Sequence, residues 1–285
     1  MIIVTGATGQ LGGAVVDQIL EHLPARELAV SVRDPRSEAA RRLADRGVQV
    51  RRGDFTAPET LPAAFADASS VLIVSGPADP EPHRAAVEAA VIAGAERIVY
   101  TAHMAASPES HFGPARQHAT TERDLAATGI ATTSLRNGFH ASSAPFMLGA
   151  GLRTGGLRLP ADGPVAWTAQ QDLAVAAAIA LTDPDRLHGT TAPLTASRAL
   201  DMDELAEVVS RITGRTVTRT VVDEDEYRAG LVAGGLPEAL APMMTGFFAA
   251  ARDGEFATVD PTLADLLGHE PRSVEDVLTE ALRAR

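Results

Sequence analysis

The sequence predicts an α/β fold, a parallel sheet with helices on both faces followed by a smaller α+β lobe, and three observations predict it. Short apolar, β-branched runs alternate with amphipathic ones over the first 180 residues, a glycine-rich turn follows the first run directly, and the pattern changes after residue 185. Alternating strand-sized and helix-sized segments mark βαβ units. Runs rich in Val and Ile suit parallel strands, because these are covered on both faces.

The elements follow in order. Strands are expected at "IIVT", "LAVSV", "VQVRR", "VLIVS", "RIVYT" and "IATTSL", each followed by a loop or a helical segment. "LGGAVVDQIL" and "PARQHATTERDL" read as helices, and in "QQDLAV" Asp172 is expected to cap the helix that follows. Past residue 185, "DMDELAEVVSRITG" has an acidic start, apolar residues at helical spacing and a glycine at its end, the marks of a complete helix. "TVTRTVV" reads as a strand, and helical segments run from Asp223 onward. The domain reading is therefore an α/β sheet domain over 1–185, with some segments of the other lobe inside it, and a region of mainly the smaller lobe over 186–285.

Composition narrows the function. A net charge of −12 argues against a nucleic-acid partner, because phosphate binding draws on clustered positive charge. Arg41, Arg42, Arg51 and Arg52 form the densest positive region and read as a solvated face. With no cysteine there is no disulfide and no thiolate nucleophile, which fits a reducing compartment. The first ten residues lack the charge and apolar length of a signal peptide, and "DLAVAAAIAL" has about half the ~20 residues that a membrane span requires. These features point to a cytoplasmic protein without a membrane partner. All 25 basic side chains of the Lys/Arg class are arginine, which removes lysine from any catalytic scheme. The oligomeric state stays open, a homo-oligomer included.

The glycine loop carries the first chemical signal. "TGATGQLGG" places Gly6, Gly9 and Gly12 between a strand and a helix, the context that turns a glycine triplet into a dinucleotide fingerprint. Gly6 turns the chain off the strand, Gly9 lets a diphosphate approach the backbone, and Gly12 permits close helix packing. Thr8, Gln10 and Leu11 complete the loop, whose helix start directs N–H groups and positive dipole toward phosphate. At the end of the second strand an acid would read a ribose 2′-hydroxyl and an arginine a 2′-phosphate. Arg33 therefore favours NADP, with NADPH preferred over NADH, while Asp34 serves NAD or simply starts a turn before Pro35. Asp54 and Phe55 are placed at the adenine end. Val74, Ser75 and Gly76 are placed beside the ribose and the middle of the cofactor.

With "TGATGQLGG", "SVRDP", "VYTA", "ERDLAATGI", "LRNGF" and "DLAVAAAIAL" in this order, the sequence resembles the NmrA-like atypical short-chain dehydrogenases/reductases, nearest the NAD(P)H:quinone oxidoreductase type-2 group. The resemblance spans nearly the whole chain. It implies a Rossmann-like domain with a small substrate lobe, NADPH held in the cleft between them, and hydride transfer to a quinone-like acceptor. Typical members of the wider superfamily pair a tyrosine with a lysine four residues later. Counting back from Glu122, those positions are Pro114 and His118 here, and the serine expected after the fifth strand is replaced by Thr101, Ala102 and His103.

Acceptor chemistry explains how such a pair becomes dispensable. Hydride reduction of an isolated ketone leaves an alkoxide with a pKa near ~16, judged from water, so a positioned acid is almost obligatory. Reduction of a quinone leaves an aryloxide near tyrosine's ~10, roughly six units or about 8 kcal/mol less basic. Orientation of the nicotinamide then becomes the main contribution of the protein.

His118 is the leading catalytic candidate, able to hydrogen-bond the nicotinamide ribose or donate a proton near neutral pH; an exposed helix histidine without a role is the alternative. His140 and His103 are candidate donors on the substrate side. These three and His111 lie on loops and a helix whose spacings match no metal-ligand pattern, so no metal is expected. Asn137, Gly138 and Phe139 are expected to form a loop under the nicotinamide with Phe139 covering the ring, while Arg136 makes a structural ion pair. Met104, Phe112, Phe146, Met147, Met243, Met244, Phe247 and Phe248 form either an apolar wall for a flat conjugated acceptor or the core of the lobe. Two other functions stay open: an NADP-sensing regulator without turnover, and a biosynthetic carbonyl or enone reductase that uses a histidine as its acid.

Overall fold

The computed structural model describes residues 1–76, 79–149, 151–183 and 185–283. Its strands are β1 (Ile2–Thr5), β2 (Leu28–Val32), β3 (Gln49–Arg52), β4 (Ser70–Ile73), β5 (Arg97–His103), β6 (Ala131–Asn137), β7 (Phe139–His140), β8 (Gly156–Leu159), β9 (Trp167–Thr168), β10 (Gly189–Thr190) and β11 (Thr218–Val221). Two compact units share the chain, and their segments interleave. The first consists of Met1–His103, Gln117–Arg136 and Gln170–Ala192; the second of Met104–Arg116, Asn137–Ala169 and Pro193–Arg285. Two stretches before residue 185 thus belong to the second unit, and the strand β10 after it belongs to the first.

The first unit is built on a seven-stranded sheet of order β10-β6-β5-β4-β1-β2-β3. The pairs β1–β2, β2–β3, β1–β4, β4–β5 and β6–β10 all run parallel. The order reverses between β1 and β4, the topological switch point at which open α/β sheets bind ligands beyond their carboxyl ends. Side chains alternate between faces along each strand. Ile3, Ala29, Val71, Ile73, Ile98, Tyr100 and Ala102 share one core with Leu61, Phe65, Ala86, Val87, Ala90 and Leu125 from the helices. Gln170–Thr182, rich in alanine and buried nearly all round, packs against the first helix, Gln10–His22. Asp172 is buried in the first turn of the former helix, so it lies past the cap position expected for it. The expected ion pair of Arg136 is present: Nε and one terminal nitrogen donate to the two oxygens of Glu122 at 3.1 and 2.8 Å, and the Ser134 hydroxyl donates to the same carboxylate at 2.7 Å.

The second unit holds two small parallel pairs, β8–β11 and β7–β9, among helices. The helix Met202–Thr213 starts in a capping box between Asp201 and Glu204 and stops at Gly214, whose φ of 66° is left-handed. "LRNGFH" is not the loop that was expected. β6 runs through Asn137, Phe139–His140 pairs with Trp167–Thr168, and the Gly138 N–H donates to Leu194 O at 2.8 Å. The cause is a missing side chain: a Cβ on Gly138 would sit 2.2 Å from Thr168 Oγ1, so glycine there lets the neighbouring backbone pair closely. Among the described residues no helix is long and apolar enough to cross a membrane.

Two histidines tie stability to pH. Burial holds His140 down to about 4 and lowers His83, with a weaker opposing pull from Asp79 on the latter. Unfolded histidine titrates near ~6.5, so below that pH the unfolded chain takes up protons that the folded chain refuses. The stabilisation is complete above about 6.5 and is lost as pH falls toward 4, by about 2 kcal/mol at most for His140 between pH 7 and 5. Thermal unfolding should therefore occur at lower temperature at pH 5 than at pH 7, and His140→Gln should flatten that dependence.

Candidate functional site

β1 ends at Thr5, and Gly6 turns the chain with a φ of 61°. The Gly9 N–H returns to Gly6 O at 2.9 Å, closing the turn. Gly9 then occupies the N-cap of the first helix, and no side chain caps that end. A Cβ on Gly12 would lie 2.4 Å from Gly6 O and 2.6 Å from Gly6 C, so the first turn of the helix rests directly on the loop's own backbone. Gly12 was expected to relieve contact with the sheet; it relieves contact with the turn. Thr8, Gly9 and Gln10 are exposed and Leu11 is buried. The result is a set of backbone amides at a positive helix end, presented at the switch point, and it fits a diphosphate.

The ends of β2 and β3 lie side by side, because Val32 pairs with Arg52 and the Gly53 N–H donates to Val32 O at 3.0 Å. Arg33 and Arg52 are both exposed, and neither enters an ion pair or side-chain hydrogen bond among the described residues. Asp34, the competing ribose reader, is committed locally: its Oδ1 accepts from the Arg36 N–H at 2.9 Å and lies 3.6 Å from Arg36 Nε. Asp54 is likewise a turn former, with Oδ1 accepting from the N–H and hydroxyl of Thr56 at 2.9 and 2.8 Å. Those two bonds, and then the charges of Arg33 and Arg52, hold its carboxyl below the usual range. Phe55 is half-buried and meets the edge of His83 with ring centroids 6.4 Å apart. Arg52 had been read as part of a solvated face, and it is exposed at the end of β3, next to Gly53.

The segment after β4 is held by three polar side chains from three elements. Thr5 Oγ1 accepts from the Val74 N–H at 2.9 Å, Thr101 Oγ1 accepts from the Ser75 N–H at 2.8 Å and donates to Ser75 Oγ at 3.1 Å, and His83 Nε2 accepts from the Gly76 N–H at 3.0 Å. Thr101 is thus a support for Val74–Gly76. On the opposite face of β5, the fully buried Tyr100 hydrogen-bonds its hydroxyl to His118 Nδ1 at 2.8 Å. His118 projects from the helix Gly113–Ala126, and its ring centroid lies 6.0 Å from that of His103 at the end of β5. Burial pushes the Tyr100 phenol well above its ordinary range, so it stays protonated and able to donate. Neither Tyr100 nor His83 was singled out from the sequence. The readable signal was a phenol and an imidazole on otherwise apolar faces, where a polar tip needs a partner.

In the second unit, Asn137 is 3% exposed and its Oδ1 has no hydrogen-bond partner among the described residues, while its backbone carbonyl accepts from the Met104 N–H at 2.8 Å. Phe139 belongs to a cluster of rings, with centroids 5.0 Å from Phe247, 5.3 Å from Trp167 and 5.8 Å from Phe112. Of the two readings of the Met/Phe set, core is the one realised for most members: Met104, Phe112, Met147, Met244, Phe247 and Phe248 are buried together. Met243 is half-buried against them and Phe146 is 63% exposed. His140 is neutral at pH 7 given its lowered pKa, which leaves it a hydrogen bond to donate but no imidazolium proton. His111 Nε2 is 2.7 Å from Asp253 Oδ2. Among the described residues no three acidic or histidine side chains gather as a metal site.

A model described as the NmrA-like family matches residues 1–276. The chain is 33% identical to quinone oxidoreductase 2 of Escherichia coli K12, covering 94% of each chain. It is 31% identical to the NAD(P)H azoreductase of Xenophilus azovorans, over 96% of this chain and 95% of that one. A solved NADPH complex of an Escherichia coli NADPH-dependent quinone oxidoreductase superposes with a TM-score of 0.92 at 30% identity, covering 99% of this chain and 100% of that one. The triphenylmethane reductase of a Citrobacter species complexed with NADP(H) superposes with a TM-score of 0.88 at 34% identity, over 99% and 100%.

Gly12→Ala forces a methyl group into the Gly6 carbonyl, an overlap that the loop can relieve only by opening. The variant is expected to lose about 1–3 kcal/mol of stability, as overpacked sites do. Urea unfolding measures it, and the loss should exceed that of Gly230→Ala, where the added Cβ meets open space.

Proposed function

We propose that this chain, which belongs to the NmrA-like family, is an NADPH-dependent oxidoreductase that passes hydride directly to a quinone or a similarly conjugated acceptor. The observation that carries the cofactor reading is the uncapped helix end at the switch point, with a glycine at position 12 that no other residue can replace without displacing Gly6. NADPH, when bound, supplies the hydride. Amides of Gly9, Gln10 and Leu11 would hold the diphosphate. Arg33, with Arg52 at the adjoining strand end, would pair with the 2′-phosphate, in keeping with the commitment of Asp34 to its own turn. Val74–Gly76, pinned by Thr5, Thr101 and His83, would border the central part of the cofactor.

The acceptor class follows from the residues at the catalytic positions. Pro114 and His118 stand where a tyrosine and a lysine serve in the wider superfamily, and no lysine exists anywhere in the chain. A histidine donor suits an aryloxide-like product far better than an alkoxide. His118 would orient the nicotinamide ribose or donate to the acceptor, and the side-chain amide oxygen of Asn137, buried and without a hydrogen-bond partner among the described residues, would accept from a carboxamide or hydroxyl.

NADPH absorbance should fall rapidly when the protein is mixed with NADPH and a simple benzoquinone; tight NADPH binding without that loss would instead mark a sensor. Arg33→Asp should raise KM for NADPH at least tenfold and move preference toward NADH, and an unchanged NADPH affinity would mean that the adenosine end lies elsewhere. His118→Ala should lower kcat/KM for the quinone several-fold, and wild-type kinetics in that variant would remove His118 from the site.

A further inference from the structure

The first unit contains a line of polar groups whose inner members, His83, Thr121 and Tyr100, are buried and do not themselves carry the proposed chemistry. It begins at the Gly76 N–H, which donates to His83 Nε2 at 3.0 Å. A backbone amide can only donate, so this nitrogen of His83 carries no hydrogen and the hydrogen of the neutral ring lies on Nδ1. Burial favours that neutral form. Nδ1 lies 3.4 Å from the hydroxyl of Thr121, which is itself buried. The Thr121 oxygen therefore accepts from His83, and its own hydrogen is shared between the Gln117 carbonyl, 3.2 Å away, and the Tyr100 phenol. The phenol keeps its proton and has two directions in which to donate, toward a hydroxyl that already accepts or toward His118 Nδ1 at 2.8 Å. Imidazole nitrogen is the far more basic of the two acceptors.

We propose that the hydrogen bonds from Gly76 through His83, Thr121 and Tyr100 to His118 form one directed chain that fixes His118 as its Nε2–H tautomer. Tyr100 and His83 are then positioning residues: they touch neither hydride donor nor acceptor but decide which nitrogen of His118 carries the hydrogen. The chain also links Gly76, in the segment assigned to the cofactor, to the histidine assigned to catalysis, so both are set by one buried network. Its side chains come from β5, the helix Pro80–Ile92 and the helix Gly113–Ala126, and the rings are in contact, with centroids 5.7 Å apart for His83 and Tyr100 and 5.6 Å for Tyr100 and His118. The functional meaning of the tautomer rests on the role proposed for His118; the tautomer does not.

Ring nitrogen NMR on the full chain labelled with 15N-histidine reads the proton positions directly. His83 should be protonated at Nδ1 and His118 at Nε2. Tyr100→Phe should convert His118 to a mixture of tautomers and lower kcat/KM for NADPH-dependent benzoquinone reduction three- to tenfold, and Thr121→Val should produce a smaller shift in the same direction. A wild-type His118 protonated at Nδ1, or a tautomer that ignores Tyr100→Phe, overturns the proposal. If Tyr100→Phe moves the tautomer while His118→Ala leaves turnover untouched, the chain of bonds stands and the role assigned to His118 falls.

Discussion

The contact between Gly12 and the carbonyl of Gly6 is the constraint from which the rest of the first unit proceeds. Because a Cβ would come within 2.4 Å of that oxygen, the first helix starts as close to the end of β1 as the backbone permits. That closeness brings a positive, uncapped helix end to the place where the strand order reverses. A side chain at position 12 would move the helix outward and with it the amides that a diphosphate requires. The loop is thus defined by excluded volume, and its electrostatics follow from its shape.

β5 shows how one strand serves two surfaces. Thr101 reaches one face and clamps Ser75, while Tyr100, its neighbour in sequence, reaches the other face and holds His118. The pleat places adjacent residues on opposite sides, so Thr101 and Tyr100 reach the carboxyl end of the sheet without competing for space, and both serve the segment Val74–Gly76, Thr101 directly and Tyr100 through the bonds that lead to His83. Each binds backbone or ring atoms of the proposed site from beneath. A buried phenol or imidazole is tolerated only when satisfied, and here satisfaction and orientation come from the same bonds.

The second unit follows a different logic. Its methionines and phenylalanines are mostly consumed in its own core, with Phe139, Trp167, Phe247 and Phe256 in mutual ring contact. Met243, half-buried, lies at the margin of this packing. His140 sits beside this core and is stripped of its charge by burial.

Six strands of the sheet, the glycine loop, the helix Met202–Thr213 with its capping residues, and the Arg136 ion pair were all legible in the amino-acid order, because each depends on neighbours within a few residues or on a pattern of fixed period. What only the tertiary structure decided depends on residues distant in the chain. That Arg52 lies beside the end of β2, that Gly138 lets β7 pair closely with β9 instead of opening a loop, and that Tyr100 finds His118 are all outcomes of pairing between strands and of helices laid over them. Local sequence specifies which side chain stands at a position and which way its strand alternates; which atom it meets is set by elements that arrive from elsewhere in the chain.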